Sequence, residues 1–403
     1  MLSNIPTPLL GLWQHRIGYS TGMTTVVFAA YIGGLLLALP FTGVLADRYG
    51  ARRVLIPALA AGLVACALFM TAGDVLTLLV ARLLTGVAVG AALSAGTAAV
   101  VHVGGPGRRT QASLAASVAI GTGLAAGPLV GGAVSQYVGA PTVTAFVVEG
   151  LLLLSAAAVV HRLLPRPEAH ADGSRGDGRP GEGESAGRHL AERESAERDS
   201  AGTGWLRLPS VPRANRRGLV TSLMAYAPGM TGTSLLLALG PTLLGSLLHT
   251  TNRLITGGIG CLMFGASTGV QFLAKKVPPG RVLAAAGVVT GLAMLGTAAA
   301  VHARSLTALT AAAVLAGIGQ GMSQYGGFTR LGTEVPPTRL AEANAALSAG
   351  GYLFAGILPI LTGYLSDATD VATSSTAFAT LIAAAALAGT LLIRTTRRAV
   401  AAS

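Results

Sequence analysis

The sequence predicts an all-α polytopic membrane protein built from two related helical bundles, and three observations carry that prediction. The first is composition. The chain has 403 residues, 52% hydrophobic and 11% charged, with a mean hydropathy of +0.63, whereas about a quarter of the residues of soluble domains are charged. The second is spacing: eleven apolar runs lie near 21–45, 54–72, 75–101, 112–136, 142–163, 217–247, 254–274, 282–301, 305–329, 341–365 and 372–393. A helix of about 20 residues crosses the roughly 30 Å of bilayer hydrocarbon. Helix is the conformation these runs must take, because unpaired backbone groups cannot face lipid and nothing here alternates as barrel strands do. The third is an internal repeat. A shift of 231 residues lays Arg108 on Arg339, Gly86 on Gly317, Gly90 on Gly321, Pro128 on Pro359, Gly132 on Gly363 and Ser135 on Ser366. A shift of 228 lays Ala46, Arg48 and Arg53-Val54-Leu55 on Ala274, Lys276 and Arg281-Val282-Leu283.

Taken in order, residues 1–19 contain no span and no basic-then-apolar signal pattern, and Pro6, Pro8, Trp13 and His15 read as a loop. The first two spans are joined by a charged loop at 43–53, and the spans near 75–101, 112–136 and 142–163 complete a first bundle over 1–164. Residues 165–216 are rich in Gly, Ser, Arg and Glu, with almost no apolar residue from Glu168 to Gly204. Such a segment cannot repay the entropy of ordering, and it reads as a flexible cytoplasmic linker. The second bundle covers 217–393, and 394–403 forms a cytoplasmic tail.

The basic residues set the orientation. Of the 28 Lys and Arg, 24 fall on the face that carries the loop at 43–53, three (Arg16, Arg253 and Arg304) on the other, and one, Arg82, within a span. This positive-inside bias makes the loop face cytoplasmic. The net charge of +12 therefore reports topology and contact with anionic lipid, not nucleic-acid binding. All but two of the basic residues are arginine, and Ala and Gly are abundant, which suggests a GC-rich bacterial genome and hence a bacterial plasma membrane. Cys66 and Cys261 both fall in apolar runs, where a lone thiol is a small packing residue, and no disulfide framework follows.

The loop reads Gly43-Val44-Leu45-Ala46-Asp47-Arg48-Tyr49-Gly50-Ala51-Arg52-Arg53. This G-x-L-A-D-R-x-G-x-R-R pattern resembles the major facilitator superfamily of secondary transporters, whose signature loop joins its second and third transmembrane helices. The resemblance implies two parallel repeats about an axis along the membrane normal, with the substrate site between them near the midplane. It also implies an absence. Pro6-Thr7-Pro8-Leu9-Leu10-Gly11 resembles Gly240-Pro241-Thr242-Leu243-Leu244-Gly245, which ends the first span of the second half. The first transmembrane helix is therefore expected to be missing, giving five spans plus six where the superfamily has six plus six. Either the start codon is placed too far downstream or the chain is a truncated relative; as written, its N-terminus would lie outside. Within the loop, Gly43 and Gly50 permit close helix approach and a tight turn, while Arg48, Arg52 and Arg53 supply the topology signal. The resemblance implies that Asp47 helps hold the two halves together in the outward-open state, facing the start of the helix near Arg339–Ala343.

Further motifs follow along the spans. In Arg82-x-x-x-Gly86-x-x-x-Gly90 the glycines share a helix face suited to close packing, and an arginine in a span must be paired or face a cavity. It matches a second superfamily motif, in which this arginine takes part in proton transfer or holds a hydrogen-bond network. In Gly123-x-x-x-Gly127-Pro128-x-x-Gly131-Gly132 the proline bends the helix and the glycines allow close contact, which together make a hinge. The run resembles the antiporter motif of drug:proton exporters. Its second-half copy, Gly356-x-x-Pro359-x-x-x-Gly363, is degenerate.

Glu149 is the carboxylate well inside a span and hence a candidate, with Arg82, for proton coupling; by family numbering its helix stands outside the cavity. Gln320 and Gln324 share a helix face. With Tyr31, Tyr226, Gln271 and Tyr352 they are expected to line a cavity whose few polar groups suit a hydrophobic or amphipathic substrate. The seven histidines show no metal-ligand spacing, and there is no phosphate-binding glycine loop and no nucleophile-base arrangement. No metal, cofactor or enzymatic activity is expected. The expectation is a monomeric secondary transporter that exports a small hydrophobic or amphipathic compound against protons by rocking its bundles. Proton-linked uptake of a metabolite and a non-transporting membrane sensor remain the alternatives.

Overall fold

A computed structural model describes residues 1–105, 108–164, 215–247 and 252–402. Helix α1 (Leu10–Ile17) follows a 3₁₀ turn at Thr7–Leu9 and ends at Gly18, whose φ of 79° is the left-handed stop that glycine adopts freely. The first group of long helices comprises α2 (Thr21–Tyr49), α3 (Ala51–Thr71), α4 (Val75–Ala91), α6 (Arg109–Tyr137) and α7 (Pro141–Leu163). A π-helical turn, Ala92–Gly96, carries α4 into α5 (Thr97–Gly104). The second group comprises α8 (Arg216–Leu247), α9 (Arg253–Ala274), α10 (Pro279–Ala303), α11 (Leu306–Glu334), α12 (Pro337–Ala368) and α13 (Val371–Ala402). Among the described residues, eleven helical stretches are long and apolar enough to cross a membrane, five before the segment 165–214 and six after it. These are the eleven runs read from the sequence. The linker expected at 165–216 lies outside the described residues, apart from its last two, and residues 394–402 of the expected tail continue α13.

Side chains start the helices where the sequence provides them. Ser20 accepts from the Met23 N–H at 3.2 Å, Asp74 from Thr77 at 2.8 Å, and Asn252 from Leu254 at 3.0 Å. Asp370 accepts from the N–H groups of Ala372 and Thr373 in the same manner. The Thr77 backbone bond at Asp74 and the Thr373 hydroxyl at Asp370 hold both carboxyls below the ordinary carboxylate value. The turn between α2 and α3 is made by Gly50 at a φ of 85°, as expected for that glycine. Gly43 departs from expectation: among the described residues nothing approaches the position of its missing Cβ, so no close helix contact depends on it.

Residues 1–17 also depart from the expected loop. Leu2, Ile5, Leu9, Leu10 and Trp13 are all buried. The Trp13 ring lies 5.6 Å from Phe69 and 6.1 Å from Phe146, and those two stack at 4.5 Å. The apolar residues at 2, 5, 9, 10 and 13 form one face of a turn-then-helix segment, and burying that face outweighs the prolines' tendency to break regular structure.

The repeat is visible in the packing. A Cβ on Gly86 would strike the Tyr31 carbonyl of α2, and one on its repeat mate Gly317 would strike the Met263 carbonyl of α9. Thus α4 rests on α2 as α11 rests on α9, backbone against backbone. The two halves meet along two seams, α2 with α12 and α6 with α9, and the shift of 231 residues exchanges one seam for the other.

Candidate transport cavity

Consider first the end of the molecule opposite the loop at 43–53, where α2 and α9 begin. There the N–H groups of Thr21 and Gly22 donate to the two oxygens of Asp367, at the end of α12, at 3.0 and 2.9 Å. At the other seam the Arg253 N–H donates to the Gln136 side chain, at the end of α6, at 3.0 Å, and the Arg253 guanidinium donates to the Ser135 carbonyl at 3.2 Å. Gln136 and Asp367 are repeat mates, 231 residues apart. Each accepts from the start of a helix in the other half, Asp367 from two free N–H groups and Gln136 from one. Beneath them the backbones touch, Gly363 against Gly22 and Gly132 against Gly257. This end is closed.

The cavity lies toward the loop end. A central chamber of about 50 Å³ is lined by Tyr31, Tyr352, Gln320, Asn4 and Phe28 among others. A larger chamber of about 300 Å³ continues from it, with Leu124, Phe264 and Gln320 lining both. Its α9 wall presents the adjacent pair Ser267 and Thr268 and then Gln271, with Lys275 at the helix end, so that 267, 271 and 275 fall four apart along one face, and α11 adds Gln320, Gln324 and Tyr325. Its α6 wall is mostly apolar, with Leu114, Ile120 and Leu124. Gln320 is buried, accepts from the Ser267 hydroxyl at 3.2 Å and donates to the Met230 sulfur at 3.1 Å.

Five of the six residues expected at the cavity line one of these chambers: Tyr31, Gln271, Gln320, Gln324 and Tyr352. Tyr226 lies elsewhere. It is buried between α8 and α12, edge-on to Phe328 at 6.0 Å and against Gly351. Ser267, Thr268 and Lys275 were not anticipated, although their spacing with Gln271 is a polar stripe in an otherwise apolar span and could have been read.

Arg82 is fully buried. It donates to the Ser3 carbonyl at 2.8 Å, and its guanidinium lies 5.8 Å from the Phe28 ring and 5.9 Å from the Tyr31 ring. Its Nε and second Nη make no hydrogen bond among the described residues. Glu149 is buried on α7, away from both chambers, with Oε2 likewise unbonded among the described residues. In the α6 run, Gly127 and Gly131 face the backbone of residues 1–5, whereas Pro128 and Gly132 face Gly257 and Gly260 of α9. Gly123 lies against Met1. In the charged loop, the Arg52 guanidinium donates to the Leu164 carbonyl at 3.2 Å and the Arg53 N–H to the Gly50 carbonyl at 3.2 Å. Arg48 is exposed, and the side chain of Asp47 lies outside the described residues.

Eleven apolar helices in two repeat-related groups, sealed together at one end and enclosing a cavity toward the other, define a membrane transporter. A sequence profile described as the Major Facilitator Superfamily matches residues 1–325, and the chain belongs to that superfamily. It is a transporter, not an enzyme. No curated protein sequence matches it significantly. Among solved structures it is similar to a bacterial homologue of the human lysosomal transporter Spinster, crystallised in an inward-facing and unoccupied conformation. The TM-score is 0.72 at 15% identity, covering 98% of this chain and 94% of that one. It is also similar to a point mutant of the nucleoside transporter NupG, with a TM-score of 0.66 at 12% identity, covering 98% and 97% of the two chains. At these identities the likeness shows the fold.

Proposed function

We propose that this chain is a secondary active transporter that exports a small amphipathic compound in exchange for protons, working as a monomer by rocking its two halves about the cavity. The observation that carries the reading is the asymmetry of the two ends: both seams are closed where α2 and α9 begin, while the chambers extend toward the charged loop. The distribution of basic residues supports a cytoplasmic position for that loop in a bacterial cell; on that reading the chain faces inward, the conformation in which the Spinster homologue was crystallised. Export is supported by the small-residue run of α6. Pro128 and Gly132 sit against glycines of α9, so a bent helix can pivot on the seam with little side-chain obstruction. Buried Arg82 and Glu149 are the groups available for proton coupling in the first half.

Everted membrane vesicles test this reading. Energised vesicles should load an amphipathic dye against its gradient, and a protonophore should collapse the loading. Loading by right-side-out vesicles alone would reverse the direction, and loading by neither would remove the transport reading. By resemblance Asp47 belongs to the gating loop, so Asp47→Asn should cut loading while membrane insertion stays normal.

A further inference from the structure

We infer that the substrate is an amphipathic anion, with its acidic head held by Lys275 and its apolar body against α6. The inference rests on the transporter reading and adds the charge of the cargo. Among the described residues, neither chamber is lined by an aspartate or a glutamate. Two cations flank them instead. Lys275 caps the end of α9 below its polar stripe, exposed at the mouth of the larger chamber, with its Nζ 4.8 Å from the centre of the Phe272 ring and no ion pair among the described residues. At the inner end, the Arg82 guanidinium lies behind the Phe28 and Tyr31 rings that line the central chamber. Glu149 lines neither chamber and therefore offers a cargo no counter-charge by contact.

A lipophilic cation entering this space would leave water, meet no carboxylate among the described residues and approach two positive groups, Arg82 buried at the inner end and Lys275 exposed at the mouth; the repulsion is strong near the first and weaker, screened by solvent, near the second. An anion gains on every count. Its head can bond Lys275 and the amides of Gln271 and Gln324, and its apolar part can lie against Leu114, Ile120 and Leu124.

The test uses the purified full chain in lipid nanodiscs and two dansyl amphiphiles of equal tail length, one ending in a carboxylate and one in a trimethylammonium. Protein-free nanodiscs correct for partitioning. The carboxylate probe should bind saturably and about tenfold tighter than the ammonium probe. Lys275→Glu should abolish that preference, and Lys275→Gln should reduce it. Lys276→Glu, at the neighbouring lysine that lines neither chamber, should leave it intact. An equal or tighter ammonium probe, no saturable binding of either probe, or an equal effect of Lys276→Glu would overturn the inference. Export of the ammonium probe by everted vesicles would sink the inference and leave transport standing. Anion-selective binding with no loading of any compound would do the opposite.

Discussion

At the scale of the residue, Arg82 stands out as a fully buried cation with few bonds. One of its nitrogens is bonded to the Ser3 carbonyl, and two others make no hydrogen bond among the described residues. A cation so placed contributes little to stability, because desolvating it costs more than a single carbonyl bond returns. Buried ion pairs replaced by well-packed apolar residues of similar volume are often neutral or stabilising in other proteins, and the same desolvation argument applies to a buried cation with one carbonyl bond. Arg82→Met should therefore leave the melting temperature unchanged or raise it, while transport falls at least about tenfold if the charge serves the cycle. A lower melting temperature with a proportionate loss of transport would make Arg82 a structural residue. That Arg82 is buried was legible from its place in an apolar run. Its neighbours were not, since Ser3, Phe28 and Tyr31 reach it only through packing of segments distant in sequence. Tyr226 shows the same limit: an aromatic hydroxyl in a span reads alike whether it faces a chamber or, as here, the Phe328 ring.

At the scale of the element, glycine spacing announced close packing but not which glycines carry it. Gly86 and Gly317 are repeat mates, and each has a carbonyl of the facing helix where a Cβ would go. Gly33 on α2 has open space at that position. Gly86→Ala should force α4 from α2, and Gly317→Ala should force α11 from α9, each destabilising the fold by about 1–3 kcal/mol. Gly33→Ala should have no such effect, since alanine is the better helix former. Melting temperatures of the purified variants in detergent decide the matter, and equal behaviour of all three would refute the backbone-contact account. The helices themselves were legible because apolar length is a strong signal in a membrane chain. Residues 1–17 were misread as a loop because two prolines in three residues are a strong local signal. Their burial depends on a groove between α6, α3 and α7 that no local pattern reveals.

At the scale of the whole molecule, the repeat was legible and the arrangement of the two halves was not, because apolar length and small-residue spacing are the same whichever end of the molecule is closed. What the structure adds is the means by which one end is held shut. Asp367 places a carboxylate on the first N–H groups of α2, where the helix dipole favours negative charge by about 0.3–1 kcal/mol and the hydrogen bonds are charge-assisted. Its repeat mate Gln136 does the same for α9 without charge, and Arg253 keeps a second bond there to the Ser135 carbonyl. The two seams are thus unequal, and the α2–α12 seam should be the more sensitive. Thr25, fully buried beneath it against Gly363, is a suitable reporter. In a Thr25→Cys background, Asp367→Asn should speed alkylation by a membrane-impermeant maleimide applied from the face opposite the charged loop. A loss of about 1 kcal/mol corresponds to a roughly fivefold rise in the open population. Gln136→Ala should change the rate less, because the Ser135 bond survives it. Unchanged alkylation in the Asp367→Asn background would mean that glycine packing alone closes this end. An equal response to both substitutions would mean that charge at the helix start does not distinguish the seams.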